Sequence, residues 1–264
     1  MSIVSDIKLF WRYVTLETMR HLAYPTQFFL FVIARIVFSI SGPILAIVVY
    51  SKGSGIPGWT FQEFLLFNGT LIFFIGIVES FFMASAWRIP RMIELGEFDK
   101  FLLRPLSLIK FLFLSGFDLD GLGNVAVGLF IMGYAVITGG FQITLLAAII
   151  YLFILVLGII IEFCALLLIV ALSFLFVKTE VIWNVLDTIF EFSRYPITIY
   201  GGFLQFVLTF VLPFSLSSFY PVEALLGRLN LWLLVPITVA VSIFILFSSM
   251  IFKLGLKKYT SAGG

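Results

Sequence analysis

From residue 143 to residue 177 the chain carries one charged side chain, Glu162. A helix of about 35 residues rises about 50 Å, well beyond a hydrocarbon layer of about 30 Å. The run therefore reads as one tilted transmembrane helix that projects past the bilayer. A hairpin of two short spans is the alternative, but the stretch from Gly158 to Glu162 offers no turn chemistry. The rest of the chain has the same character. Of 264 residues, 62% are hydrophobic and 11% charged, where a soluble domain has about half and about a quarter. A transmembrane barrel would need short strands alternating apolar and polar residues, whereas these apolar runs are unbroken. The class is all-α: a polytopic helical membrane protein whose residues 1–264 form a single membrane domain.

Proline, glycine and charge divide that domain into six expected spans, at 26–50, 61–86, 119–137, 143–177, 196–212 and 231–252. Residues 3–20 set Ile3, Ile7, Phe10, Trp11 and Val14 between Asp6, Lys8, Arg12 and Glu17, the pattern of an amphipathic helix lying in the interface. They do not read as a cleavable secretory signal. Residues 87–105 are the most polar stretch and must lie in water. Residues 181–195 are amphipathic and are placed on the cytoplasmic interface. Residues 213–230, with Pro221, Glu223 and Arg228, form a short extracellular or re-entrant helical segment. Placing both termini in the cytoplasm puts Lys8, Arg12, Arg20, Arg88, Arg91, Lys100, Arg104, Lys110, Lys178, Arg194, Lys253, Lys257 and Lys258 inside and leaves Lys52 and Arg228 outside, as positively charged loops require of a plasma-membrane protein.

Several chemistries are missing. No G-x-x-x-x-G-K-[S/T] loop exists to cradle a nucleotide, so no cofactor is expected on this chain. Cys164 is the single cysteine and His21 the single histidine, which leaves no cysteine cluster or paired histidines for a metal site; His21 reads as a solvated interfacial side chain. With a net charge of only +2, no nucleic-acid partner is expected. Asp118 and Asp120 stand in a D-x-D arrangement that could hold a divalent cation over a lipid headgroup, making the chain a membrane enzyme. The plainer reading is an acidic helix start facing its own dipole. Arg35, Glu79 and Glu162 lie inside spans, where an unpaired charge costs about 2.5–3.5 kcal/mol. They are expected to pair, to pack helices together or to line a path. Phe73, Phe74, Phe81 and Phe82 either line that path or pack against lipid and neighbouring helices.

The loop after the second span combines a short amphipathic helix, a glycine, an acidic cluster and a proline stop, which suits docking against another protein. It reads Gly96-Glu97-Phe98-Asp99-Lys100-Phe101-Leu102-Leu103-Arg104-Pro105-Leu106. This segment resembles the cytoplasmic loop of the type-2 ATP-binding-cassette (ABC) exporter permeases, bacterial and archaeal. Tyr195-Pro196-Ile197, Phe219-Tyr220-Pro221 and the tail from Gly255 to Gly263 look like the same group. The resemblance implies a permease subunit that pairs with a second permease, as homodimer or heterodimer, in membrane lipid. It implies that ATP is bound by a separate ATPase subunit. By the same resemblance that ATPase is received by residues 3–20 and 88–106, with Arg88, Arg91, Glu94, Gly96, Glu97, Phe98, Asp99, Arg104 and Pro105 as the docking residues.

Overall fold

The computed structural model describes residues 3–53, 55–103, 107–176 and 180–259. Arg104, Pro105, Leu106, Lys178 and the end of the tail lie outside the described residues. Among the described residues no strand forms, as expected of a chain whose backbone groups must satisfy one another inside lipid.

Helix α1 (Ile3–Ala23) gives way at Tyr24 to α2 (Pro25–Ser51), which starts on a proline, where a missing N–H costs nothing. Helix α3 (Phe61–Val78) starts at a reciprocal cap. The Thr60 hydroxyl accepts from the Glu63 N–H, and the Glu63 carboxylate accepts from the Thr60 N–H at 2.8 Å. A π-helical turn, Glu79–Met83, then leads without a break into α4 (Ala84–Glu94). Phe61–Glu94 is therefore one rod of 34 residues, and the expected second span is the membrane part of it. Short helices α5 (Phe98–Leu102) and α6 (Leu108–Ser115) precede α7 (Leu122–Gly139). Helix α8 (Leu145–Ser173) runs unbroken for 29 residues behind a Thr144 cap, which removes the hairpin alternative.

Helix α9 (Glu180–Glu191), α10 (Gly202–Phe206), α11 (Phe219–Leu225) and α12 (Leu234–Lys258) complete the order. Among the described residues five helices are long and apolar enough to cross a membrane: Pro25–Ser51, Phe61–Glu94, Leu122–Gly139, Leu145–Ser173 and Leu231–Lys258. The expected span at 196–212 differs. It consists of a tight turn, Ile197–Ile199, and a shorter apolar helix, Gly202–Val211, that ends in π geometry. Pro196, the Gly201-Gly202 pair and Pro213 break it, because they remove donors and loosen the backbone. The chain then turns back through Phe214–Ser217 and α11. A Cβ on Gly158 would stand 2.7 Å from the Leu216 carbonyl oxygen, so the turn sits against α8 about 20 Å below its start. Residues 213–230 thus hold a turn and a short helix packed on α8.

Helix α3 packs most closely on α7, while α8 packs on α12 and α11. A Cβ on Gly76 would lie 2.5 Å from the Val125 nitrogen, and one on Gly128 would collide with the backbone of Phe73. Backbone therefore meets backbone, the close approach that small residues permit in membranes. Large apolar side chains on α2, among them Phe29, Leu30, Phe38 and Ile47, remain exposed and face the lipid expected around them.

At the α3 start, Arg228 pairs with Glu63, which is only 8% exposed, and so ties the segment before α12 to the rod. Arg228→Ala strands a nearly buried carboxylate. It is expected to cost about 1–3 kcal/mol, visible as a lower thermal midpoint in detergent that Arg228→Lys largely restores. An unchanged midpoint in the alanine variant would show the pair to be idle.

Candidate functional site

Charged side chains meet inside the bundle, in the half nearer the N-terminal end of α2. Arg35 of α2 lies 3.0 Å from the Glu79 Oε2, and Asn124 of α7 donates to the same oxygen at 2.8 Å. Ser39 donates in turn to the Asn124 side-chain oxygen at 2.8 Å. Glu79 opens the π-helical turn of the rod, the kind of bulge found at functional sites because it re-aims side chains. The pairing expected of Arg35 and Glu79 is present, and Glu162 stands apart from it.

Two cavities flank Glu79. One of about 210 Å³ lies between the rod, α8 and α9, with Phe74, Glu79, Met83, Glu162, Trp183, Asp187, Phe190 and Phe214 on its wall. The other, about 450 Å³, lies between α2, α3 and α7 and is lined by Arg35, Ser39, Asn68 and Asn124. Ile75, Glu79 and Arg194 border both. Of the four phenylalanines expected to line a path or pack, Phe74 reaches a cavity. Phe82 packs on Phe113 and Phe163, and Phe81 on Phe117.

Helix α9, within the residues 181–195 expected at the cytoplasmic interface, also borders the first cavity through Trp183, Asp187 and Glu191. Trp183 packs on Trp87 with the rings tilted and their centroids 4.4 Å apart, while Phe190 meets Phe214 and Arg194 borders the cavities beside Ile75. The helix therefore descends along the rod from the level of Trp87 to that of Ile75, about 18 Å. An amphipathic pattern needs polar groups opposite its polar face, and here Glu79 and Glu162 lie on the same cavity wall as Asp187.

At the end of the rod, Arg88 donates to the Ser115 carbonyl at 3.1 Å and Arg91 pairs with Glu94 at 2.8 Å. Gly96 adopts φ +69°, and the Glu97 N–H reaches back to the Met92 carbonyl at 2.8 Å, closing α4. Phe98 turns inward. It is fully buried against Phe101, Phe174 and Tyr259, so its side chain serves the fold and offers no outward surface. Tyr259 also donates to Asp99 at 3.0 Å. The loop and the tail, two of the segments that carry the family resemblance, thus touch each other. Arg91, Glu94, Leu95, Glu97, Lys100 and Leu103 face outward, with Leu103 87% exposed.

His21 is not the solvated side chain expected. Only 11% of it is exposed, and its Nε2 lies 3.1 Å from Asp118 while its Nδ1 lies 3.8 Å from Asp120. Arg20 pairs with both Glu17 and Asp118. Burial lifts the carboxyls of Glu17 and Asp120 above their ordinary range; Arg20 opposes this at Glu17, whereas the Asp118 charge adds to it at Asp120. Asp118 and Asp120 are not the first turn of α7, which begins at Leu122; they fasten α1 to the bundle, and the Asp118 N–H donates to Ser80 in the π-helical turn at 2.9 Å. Glu17, His21 and Asp118 present ligand atoms within 4.8 Å of one another, a donor set that suits a small divalent cation. A Glu17 and His21 four residues apart on one helix face, read against a D-x-D elsewhere, was the one sequence signal for this cluster.

What emerges is a bundle with a charged interior and a continuous helical arm leading from that interior to an exposed elbow. No curated protein and no solved structure matches the chain. Residues 25–263 match the sequence model of the ABC-2 family transporter proteins, and the chain belongs to that family as a multi-pass membrane permease subunit of an ABC transporter.

Proposed function

We propose that the chain is half of an exporter, in which two permeases enclose a path and a separate ATPase drives them from the elbow between α4 and α5. The observation that carries this reading is the rod. Phe61–Glu94 runs without interruption from the far end of the bundle, past Glu79 and both cavities, to the outward-facing Arg91 and Glu94. Force applied at the elbow travels along a helix to the charged turn. The inward aromatic cluster of Phe98, Phe101, Phe174 and Tyr259 ties the elbow to the ends of α8 and α12, so that the three move together. The apolar walls favour an amphiphilic substrate that enters from the membrane.

The test is a pull-down. The tagged chain, isolated from membranes of its own organism, should bring with it a P-loop ATPase whose hydrolysis is sensitive to vanadate. Leu103→Asp combined with Glu97→Arg removes an exposed apolar contact and reverses a charge without touching the core. That variant should insert normally and recover the ATPase about tenfold less well. Undiminished recovery would place the docking surface elsewhere, and a cysteine at Lys100 labelled from outside intact cells would overturn the orientation on which the reading stands.

A further inference from the structure

We infer that the cavity between the rod, α8 and α9 binds a lipophilic organic cation, an aromatic or aliphatic ammonium in preference to a neutral or anionic amphiphile. The inference rests on the transport reading above and narrows it to a class of substrate. It begins with a balance of charge. The cavity wall holds four carboxylates, Glu79, Glu162, Asp187 and Glu191, and one cation, Arg194. Glu79 is matched by Arg35 from behind, and Glu191 by Arg194. Among the described residues Glu162 and Asp187 have no basic partner, and the Glu162 Oε2 is shut off from solvent without accepting a hydrogen bond.

Burial makes that imbalance costly. Glu162 lies about 26 Å along α8 from its start, with its Oε2 shut off from solvent. A carboxylate at that level needs a counter-charge, and the wall opposite it is aromatic: Phe74, Trp183, Phe190 and Phe214 line the same space. Ring faces attract a diffuse, weakly hydrated cation and give nothing to an anion. Carboxylates beside aromatic faces in a narrow apolar cavity are the chemistry of ammonium recognition. A volume of about 210 Å³ suits one head group or ring system, leaving a longer apolar tail to extend into lipid.

The experiment uses the intact chain in lipid nanodiscs, without ATPase or ATP. Phenyltrimethylammonium and its uncharged carbon isostere, tert-butylbenzene, have the same shape and differ in one charge. In equilibrium dialysis, with empty discs subtracted, the cation should bind saturably and the isostere should not. Glu162→Gln keeps the side-chain shape and should weaken cation binding at least about tenfold; Asp187→Asn, at the open edge, should weaken it severalfold. Binding should also fall on acidification, since a proton is the competing occupant of the carboxylates. Equal uptake of both probes, or unchanged affinity in a Glu162→Gln chain with a wild-type thermal midpoint, would overturn the inference. Because the measurement needs no partner, its failure would leave the permease reading standing, and a failed ATPase pull-down would leave cation binding standing.

Discussion

Gly128→Leu is expected to abolish the folded chain. The two helices that touch most extensively, α3 and α7, do so through glycines, and a Cβ at Gly128 would run into the Phe73 backbone. A colliding side chain can rotate away; a colliding helix backbone cannot. Carbon contacts settle near 3.5–4.0 Å, so the helices would have to separate by about 1 Å or more along their length. That gap would lift Gly121 from Ser80, and with it the link from Asp118 to the π-helical turn. The expected cost exceeds about 4–5 kcal/mol, at the extreme of single substitutions, and should appear as aggregated material on size exclusion. Gly133→Leu, on the same helix, is the control. A Cβ there meets nothing within 4 Å, and the variant should elute as wild type. If both variants behave alike, close packing of α3 on α7 is not what holds the bundle.

The second large effect is expected of Arg35→Ala. Its loss leaves the Glu79 carboxylate with Asn124 as its remaining donor at a depth where water is scarce. The cost should be about 2.5–3.5 kcal/mol, the price of one unpaired charge in a membrane helix. Because the penalty belongs to the stranded partner, Arg35→Ala with Glu79→Gln should recover much of it. The double variant would then sit above the single one in thermal midpoint, a coupling that a double-mutant cycle measures. Equal midpoints for Arg35→Ala with and without Glu79→Gln would mean that the stranded Glu79 carboxylate carries no penalty.

Helix existence was legible because lipid imposes a simple rule of length and apolarity. The unbroken helix α8 follows from that rule, as do the edges of α2 and α7 within a few residues. The placement of α9 was not legible. Asp187, Glu191 and Arg194 on one face are equally at home against bulk water and against a cavity, and long-range contacts such as Phe190 on Phe214 are what bring them to this one. The surroundings of His21 were hidden for a different reason. Its carboxylate partner Asp118 is 97 residues away, and no local periodicity announces a contact of that range. In the elbow, the outward Glu97 and Lys100 and the inward Phe98 share one short motif, and side-chain direction separates them.

The bulge at Glu79 also governs how the rod is clocked. Each residue of an α-helix advances the next by about 100°, so widening one turn offsets the angular phase of everything beyond it. The outward aim of Arg91 is therefore referenced to this one wide turn, 12 residues upstream. Shortening the turn by one residue would leave the arm nearly as long as before, yet aim its end in a different direction. A partner seated there would then be gripping a crank whose handle points the wrong way.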